Sequence, residues 1–207
     1  MKNYICLNGK KTELTAEQVA ELKKSLGVGE VRLGSIPTGK TFKLGKFELV
    51  VLEHEIGDAE GGTAVILKDL YEKNVRFGEN NNFVGSNASR ICLRFADELA
   101  DIIGHENIIT HTVDLTSDDG LKDYGTTECR ASLLTADLYR RYVYTLDKYK
   151  LDDWQWLATP WSTPTHEDST CVKCVSPSGI IGDDFYHFNF NGVRPFCILK
   201  SDIFVSF

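Results

Sequence analysis

Residues Gly34 to Thr41 read GSIPTGKT and fit the phosphate-cradling pattern G-x-x-x-x-G-K-[ST]. Such a loop works when a buried strand delivers the glycines and a helix starts at the Lys, so that its first amides meet phosphate. Here FKLGKFELVVLEHE follows, with apolar and charged residues alternating and Gly45 where a first helical turn should continue. That pattern predicts a Gly/Pro turn leading into a hairpin, not a nucleotide site. Cys171 and Cys174 form a C-x-x-C, but on an alternating strand such as TCVKCV the two thiols face opposite ways. With no second pair at zinc spacing the ligand count falls short of four, so no metal is assigned. Glu53 and Glu55 bracket His54, yet alternation puts both carboxylates on one face and the imidazole on the other, which makes no triad. His54 and His111 read as satisfied structural imidazoles. The acid-rich loop Asp114 to Asp123 has the oxygen ligands a structural calcium takes, but it is not assigned one. There is no nucleophile elbow, no H-E-x-x-H and no dinucleotide fingerprint, so no catalysis and no cofactor is expected.

A different chemistry is suggested by DDFYHFNFN at Asp183 to Asn191. Phe185, Tyr186, Phe188 and Phe190 keep no single alternating register with the polar residues, so some rings must face solvent. Exposed rings beside Asp, His and Asn combine rigid contact area with adaptable hydrogen bonding, as a binding surface does. Trp161, after Pro160 and among Ser and Thr, is a candidate exposed platform. Trp154 and Trp156 share a strand face with Ala158 and read as core, and Arg194 reads as a buried residue fixing a turn.

These residues need a frame, and 207 residues suffice for a sizeable core. The composition, 42% hydrophobic and 26% charged, is that of an ordinary globular chain. A formal charge of -7 and the absence of any basic run exclude a nucleic-acid partner. LVVL at Leu49 to Leu52 and AVIL at Ala64 to Leu67 are too short for membrane insertion. MKNYICLNGKK does not read as a signal peptide, so synthesis in the host cytoplasm without a leader is expected, and the scattered cysteines suit reduced thiols.

Residues 1–30 predict a small strand and helix: YICL, then a helix with Thr15 and Gln18 as a capping box, Leu14 stapling onto Val19, Gly27 as stop, and a stripe of Val19, Leu22 and Leu26. Strands are expected near 41–44, 47–53 and 63–68, the last two joined by a Gly- and acid-rich turn. A helix capped by Ser86 or Asn87 carries Ile91, Phe95, Leu99 and Ile102 inward and stops at Gly104. ENIITHTVDL reads as one strand and SDDGLKDYGTTECRAS as a long loop. The next helix is capped by Thr135, with Leu138, Tyr142 and Leu146 on one face. Beyond Asp152 only strands and loops are expected, so the class is α+β.

WQWLATP at 154–160, a hairpin tipped by SPSG, and GVRP at 192–195 before a final FCIL make a distinctive order. It resembles an uncharacterised family of gut Firmicutes and their phages ending in W-x-W-L-x-[ST]-P, a hairpin and G-V-R-P. GKTFKLGKFELVVLE, SNASRICLRFADEL and LLTADLYRRY resemble that family's hairpin and helices, so the match covers residues 36–207. The family is similar to the C-type-lectin-like fold of formylglycine-generating enzymes and of the variable receptor-binding proteins of diversity-generating retroelements. The resemblance implies two helices packed on antiparallel sheets. It also implies a ligand-binding face at Trp161, Thr165, His166, Glu167, Asp168, Asp183, Asp184, Phe185, Tyr186, His187, Phe188, Asn189 and Phe190.

The expected function is that of a non-enzymatic phage or prophage receptor-binding protein, a virion component holding a bacterial cell-surface protein or glycan. A homo-oligomer, such as a trimer, and other virion proteins are the expected partners, with residues 1–30 as the assembly or attachment element. The alternatives are an oxidase or sensor of the formylglycine-enzyme kind, which would need Cys171 paired with Cys174 or Cys197, and a structural virion domain. The Glu-Pro-Asn, Gln-Pro-Asp and Trp-Asn-Asp segments of calcium-dependent lectins are absent.

Overall fold

A computed structural model describes residues 3–7, 10–25, 29–56 and 61–207. At the N-terminus, β1 (Asn3–Leu7) pairs antiparallel with β2 (Lys10–Leu14), and α1 (Ala16–Ser25) follows. The capping box forms: Gln18 N donates to Thr15 Oγ1 at 3.2 Å and Thr15 N to Gln18 Oε1 at 3.0 Å. Leu26 and Gly27, expected in the stripe and as the stop, lie outside the described residues.

The rest is mixed α+β, built mainly on antiparallel sheets of which the largest curls into a half-barrel. β3 (Glu30–Arg32), β4 (Thr41–Leu44), β5 (Phe47–His54) and β6 (Gly62–Leu67) enter that sheet first. The turn between β5 and β6 includes residues 57–60, outside the described set. α2 (Asn87–Ile103), β7 (Ile108–Ile109), β8 (His111–Asp114), β9 (Thr126–Cys129), β10 (Ala131–Ser132) and α3 (Ala136–Leu146) follow. The chain ends with β11 (Gln155–Pro160), β12 (Cys171–Val175), β13 (Ile181–Phe185), β14 (Phe196–Lys200) and β15 (Phe204–Ser206). The large sheet has the order β10-β14-β6-β5-β4-β15-β3, with β7 also on β14.

The apolar runs on β5 and β6 are continuous because both faces of the sheet are covered. Leu49, Val51 and Val65 pack with Phe95 and Leu99 of α2 on one face. Val50, Leu52 and Ile66 pack with Tyr139, Tyr142 and Leu146 of α3 on the other. GSIPTGKT is a 3-10 turn and a bend running straight into β4, so Thr41 opens a strand and no helix dipole is available to phosphate.

The helices start at the expected caps: Ser86 Oγ accepts from Ser89 N at 3.0 Å and Thr135 Oγ1 from Leu138 N at 3.2 Å. Three burial expectations are corrected. Ile102 is exposed near the Gly45 turn, and Ala88, Cys92 and Ala96 complete the buried stripe. On α3 the buried large residues are Tyr139, Tyr142 and Leu146, and Leu138 packs against the same core only in part. Trp154 is 42% exposed, because it precedes β11 and the strand's alternation does not yet govern it, whereas Trp156 is buried and donates Nε1–H to Val75 O at 2.8 Å.

The stretch 108–114 is broken into β7 and β8, which serve different sheets, and the long polar loop after it contains β9, paired with β8. At the C-terminal turn, Arg194 is 2% exposed and donates to Leu67 O, Lys68 O and Tyr149 O. No helix among the described residues is long and apolar enough to cross a membrane.

Candidate functional site: the loops at one end of the small sheet

β11, β12 and β13 form a separate three-stranded antiparallel sheet. Its register sets Pro160 opposite Val172, and Cys171 opposite Phe185. The ladder continues past the strands: Trp161 N donates to Cys171 O and Tyr186 N to Thr170 O, each at 3.0 Å. Trp161, Cys171 and Phe185 therefore stand abreast at one end of the sheet. The 161–168 and 183–190 segments, far apart in sequence, meet there.

The exposed rings of residues 185–190 form one cluster. Phe188 lies 5.3 Å from Phe185, 4.8 Å from His187 and 5.8 Å from Phe190, centroid to centroid. Phe185, Phe188 and Phe190 are 43%, 37% and 67% exposed, so this patch is solvated rather than folded onto the core. Tyr186 is different: half-buried, it packs against the core, and its carbonyl accepts from Phe77 N at 2.9 Å. Asn189 is exposed beside the rings.

Beneath the rings lies a hydrogen-bonded clasp. Asn81, fully buried, donates from Nδ2 to Ser162 O at 2.9 Å and Cys171 O at 3.0 Å, and accepts from Tyr124 Oη at 2.7 Å. Loop 117–125 grips loop 161–167 from the side. Asp119 Oδ2 accepts from Ser162 Oγ at 2.6 Å and meets His166 Nδ1 at 2.9 Å. Asp123 Oδ2 accepts from Thr163 Oγ1 at 2.8 Å and Thr165 N at 3.0 Å. The Ser117 and Ser162 hydroxyls, with His166, hold the Asp119 carboxyl well below the usual range, and Thr163 and Thr165 lower that of Asp123. Thr165 and His166 are thus exposed yet tethered, while Glu167 turns the chain with a left-handed φ of 57°.

Lys173 crosses under the face. It is 5% exposed, and its Nζ lies 3.3 Å from Asp118, 3.8 Å from Asp183 and 4.6 Å from the centroid of the Trp161 ring. Trp161 remains 40% exposed. Asp184 accepts from Asn191 Nδ2 at 2.7 Å, and Asp168 from Thr170 N and Oγ1. Asp168 and Asp184 thus brace the loops, Asp183 is exposed but faces Lys173, and Glu167 is exposed.

Reading the sequence missed Asn81, Asp119, Asp123 and Lys173 as the support of this face. The acidic spacing in SDDGLKDYG is the only signal, and it fits calcium ligands as well as it fits hydrogen-bonding braces. In the fold Asp114 caps Thr116, Asp118 pairs with Arg140 and Lys173, and Asp119 and Asp123 serve the clasp. No group of three metal-binding side chains occurs among the described residues.

Outside the face, His54 and His111 have inward roles, whereas His105 is exposed and meets Arg130. His54 bonds Thr63 Oγ1 and Ile36 O at 2.9 and 2.8 Å, and His111 Nε2 bonds Ser132 Oγ at 3.0 Å. The thiols of Cys92, Cys129, Cys171, Cys174 and Cys197 are held protonated. Burial pushes Cys174 up to about 12 and Cys129 up to about 11, and raises Cys92, Cys171 and Cys197 as well. A separate cleft of about 410 Å3 between α2 and β9 is bordered by Val84, Leu93, Thr127 and Cys129 and includes none of the candidate residues. No protein-family model, curated protein or solved structure matches the chain.

Proposed function

We propose that this chain is a non-enzymatic receptor-binding protein of the phage or prophage adhesin type, whose ring-bearing face holds a bacterial surface protein or glycan. The observation that carries the reading is the contiguous solvated cluster of Phe185, His187, Phe188 and Phe190 on a tightly bonded frame. Scattered exposed rings are ordinary, but a contiguous cluster of them beside open carboxylates is the composition of a contact surface. Rigid support lowers the entropy lost on binding. A C-type-lectin-like framework is supported by α2 and α3 packing on antiparallel strands. The N-terminal β1-β2-α1 element supplies the assembly surface of an oligomer, and avidity then multiplies weak contacts.

The oxidase reading needs a reactive thiol, and the raised cysteines argue against one.

The test is binding of fluorescently labelled protein to a panel of gut Firmicutes strains. Wild type labels a subset of strains, and a variant carrying Trp161→Ala, Phe185→Ala, Phe188→Ala and Phe190→Ala with an unchanged melting temperature labels them at least tenfold less. Absence of labelling on every strain sinks the adhesin reading. A face protected inside an oligomer would favour the structural virion domain instead.

A further inference from the structure

The ring cluster sits in a strongly negative setting. Glu167 and Asp168 lie on the 161–168 loop, and Asp183 and Asp184 on β13 just before the rings. Asp118, Asp119 and Asp123 lie on the clasp loop bonded to those segments. Against these seven carboxylates stand the cations Lys122, Lys173 and Arg140, of which Lys173 is already paired with Asp118 and Asp183, and Arg140 with Asp118 and Asp137. The lowered Asp119 and Asp123 keep their charge well into acid. Much of the chain's formal excess of -7 is therefore gathered at one end of one small sheet.

The face also holds a cation in its own construction. Lys173 Nζ sits over the Trp161 ring with Asp118 and Asp183 beside it, so ring and carboxylate together already solvate an ammonium group. Phe185, Phe188 and Phe190 offer ring surface to solvent, with Asp183 exposed two residues before Phe185 on β13 and Glu167 exposed on the 161–168 loop.

We infer that the partner of this face is a protein surface presenting arginine or lysine among apolar side chains, and that anionic polymers are rejected. The inference rests on the binding reading above and narrows it. Like charges facing each other across a contact disfavour the wrong partner and complementary ones speed encounter. Arginine adds stacking on rings to its pairing with carboxylates, so a basic and apolar patch uses both features of the face at once.

The test uses two immobilised dodecapeptides, one alternating arginine with leucine and glycine, the other with every arginine replaced by glutamate, and dextran sulfate as a polyanion. Binding is measured by biolayer interferometry at 50 and 300 mM NaCl. The arginine peptide binds at least tenfold tighter than either other probe and weakens at least fivefold at the higher salt, as screening of open charges requires. Asp183→Asn with Glu167→Gln, and separately Phe188→Ala with Phe190→Ala, each weaken it at least fivefold. Asp101→Asn with Glu106→Gln, a charge-matched change on exposed acids outside the face, leaves it within twofold. Equal binding of dextran sulfate, or equal weakening by the Asp101 and Glu106 changes, overturns the inference.

Competition on labelled strains separates this inference from the reading beneath it. Labelling that neither salt nor the arginine peptide reduces refutes the cationic partner and leaves the adhesin reading standing. Peptide binding intact with no strain labelled does the reverse.

Discussion

At the scale of single residues, burial decides which groups are chemically available. Cys92, Cys129, Cys171, Cys174 and Cys197 have thiols held above their ordinary range, so few of these thiolates exist near neutrality. In a Cys6→Ser background, iodoacetamide at pH 7.5 should label the folded chain at least tenfold more slowly than the urea-unfolded chain. One fast-reacting thiol in the folded protein would revive the oxidase reading. His111 gives a pH signature. Burial lowers its pKa from 6.5 to about 4, so it is the unfolded chain that takes up the extra proton. Stability is full above pH 6.5 and declines as pH falls towards 4, by roughly 3 kcal/mol in all from this group. His111→Asn should flatten that part of the stability profile measured by urea melts; an unchanged slope would show that another group is responsible. Arg194 and His54 were legible in the sequence because their surroundings were apolar strand ends, where a polar side chain must find an internal partner. Trp154 was not, since strand alternation says nothing about the residue just before the strand begins.

At the scale of elements, strong local signals carried most of the reading. The caps at Thr15, Ser86 and Thr135 and the stop at Gly104 are set by bonds within a few residues, so they appear in sequence and structure alike. The clasp was invisible because its partners are remote: Asn81 reaches Ser162 and Cys171, and Asp119 reaches His166, across gaps that no periodicity encodes. β9 was missed for the same reason, since a short polar strand is defined only by its partner β8. Asn81→Leu leaves the Ser162 carbonyl and the Tyr124 hydroxyl without this partner, removes one of the two bonds on the Cys171 carbonyl, and should cost roughly 2–3 kcal/mol by urea melts. Tyr124→Phe, which removes only one bond, should cost about 1 kcal/mol. If Asn81→Leu melts like wild type, the loops are not held by this residue. Gly192 is held as tightly: a Cβ there would run into Leu70 Cδ1 and come within 2.9 Å of Glu72 O. Gly192→Ala should therefore lower the melting temperature by several degrees, with a cost of roughly 1–3 kcal/mol.

At the scale of the whole molecule, a large curled sheet covered by α2 and α3 gives the stable body, and the three-stranded sheet carries the candidate contact loops at one end. The molecule has a second surface feature, the cleft beside α2, with Val84 and Leu93 exposed at its border. The account assigns contact to the rings and not to the cleft. The most direct test is to compare two folded variants on a strain that wild type labels: the four-ring variant at Trp161, Phe185, Phe188 and Phe190, and Val84→Ala with Leu93→Ala. The account predicts at least a tenfold loss of labelling for the first and a change within twofold for the second. Labelling retained by the ring variant and lost by the cleft variant would contradict it.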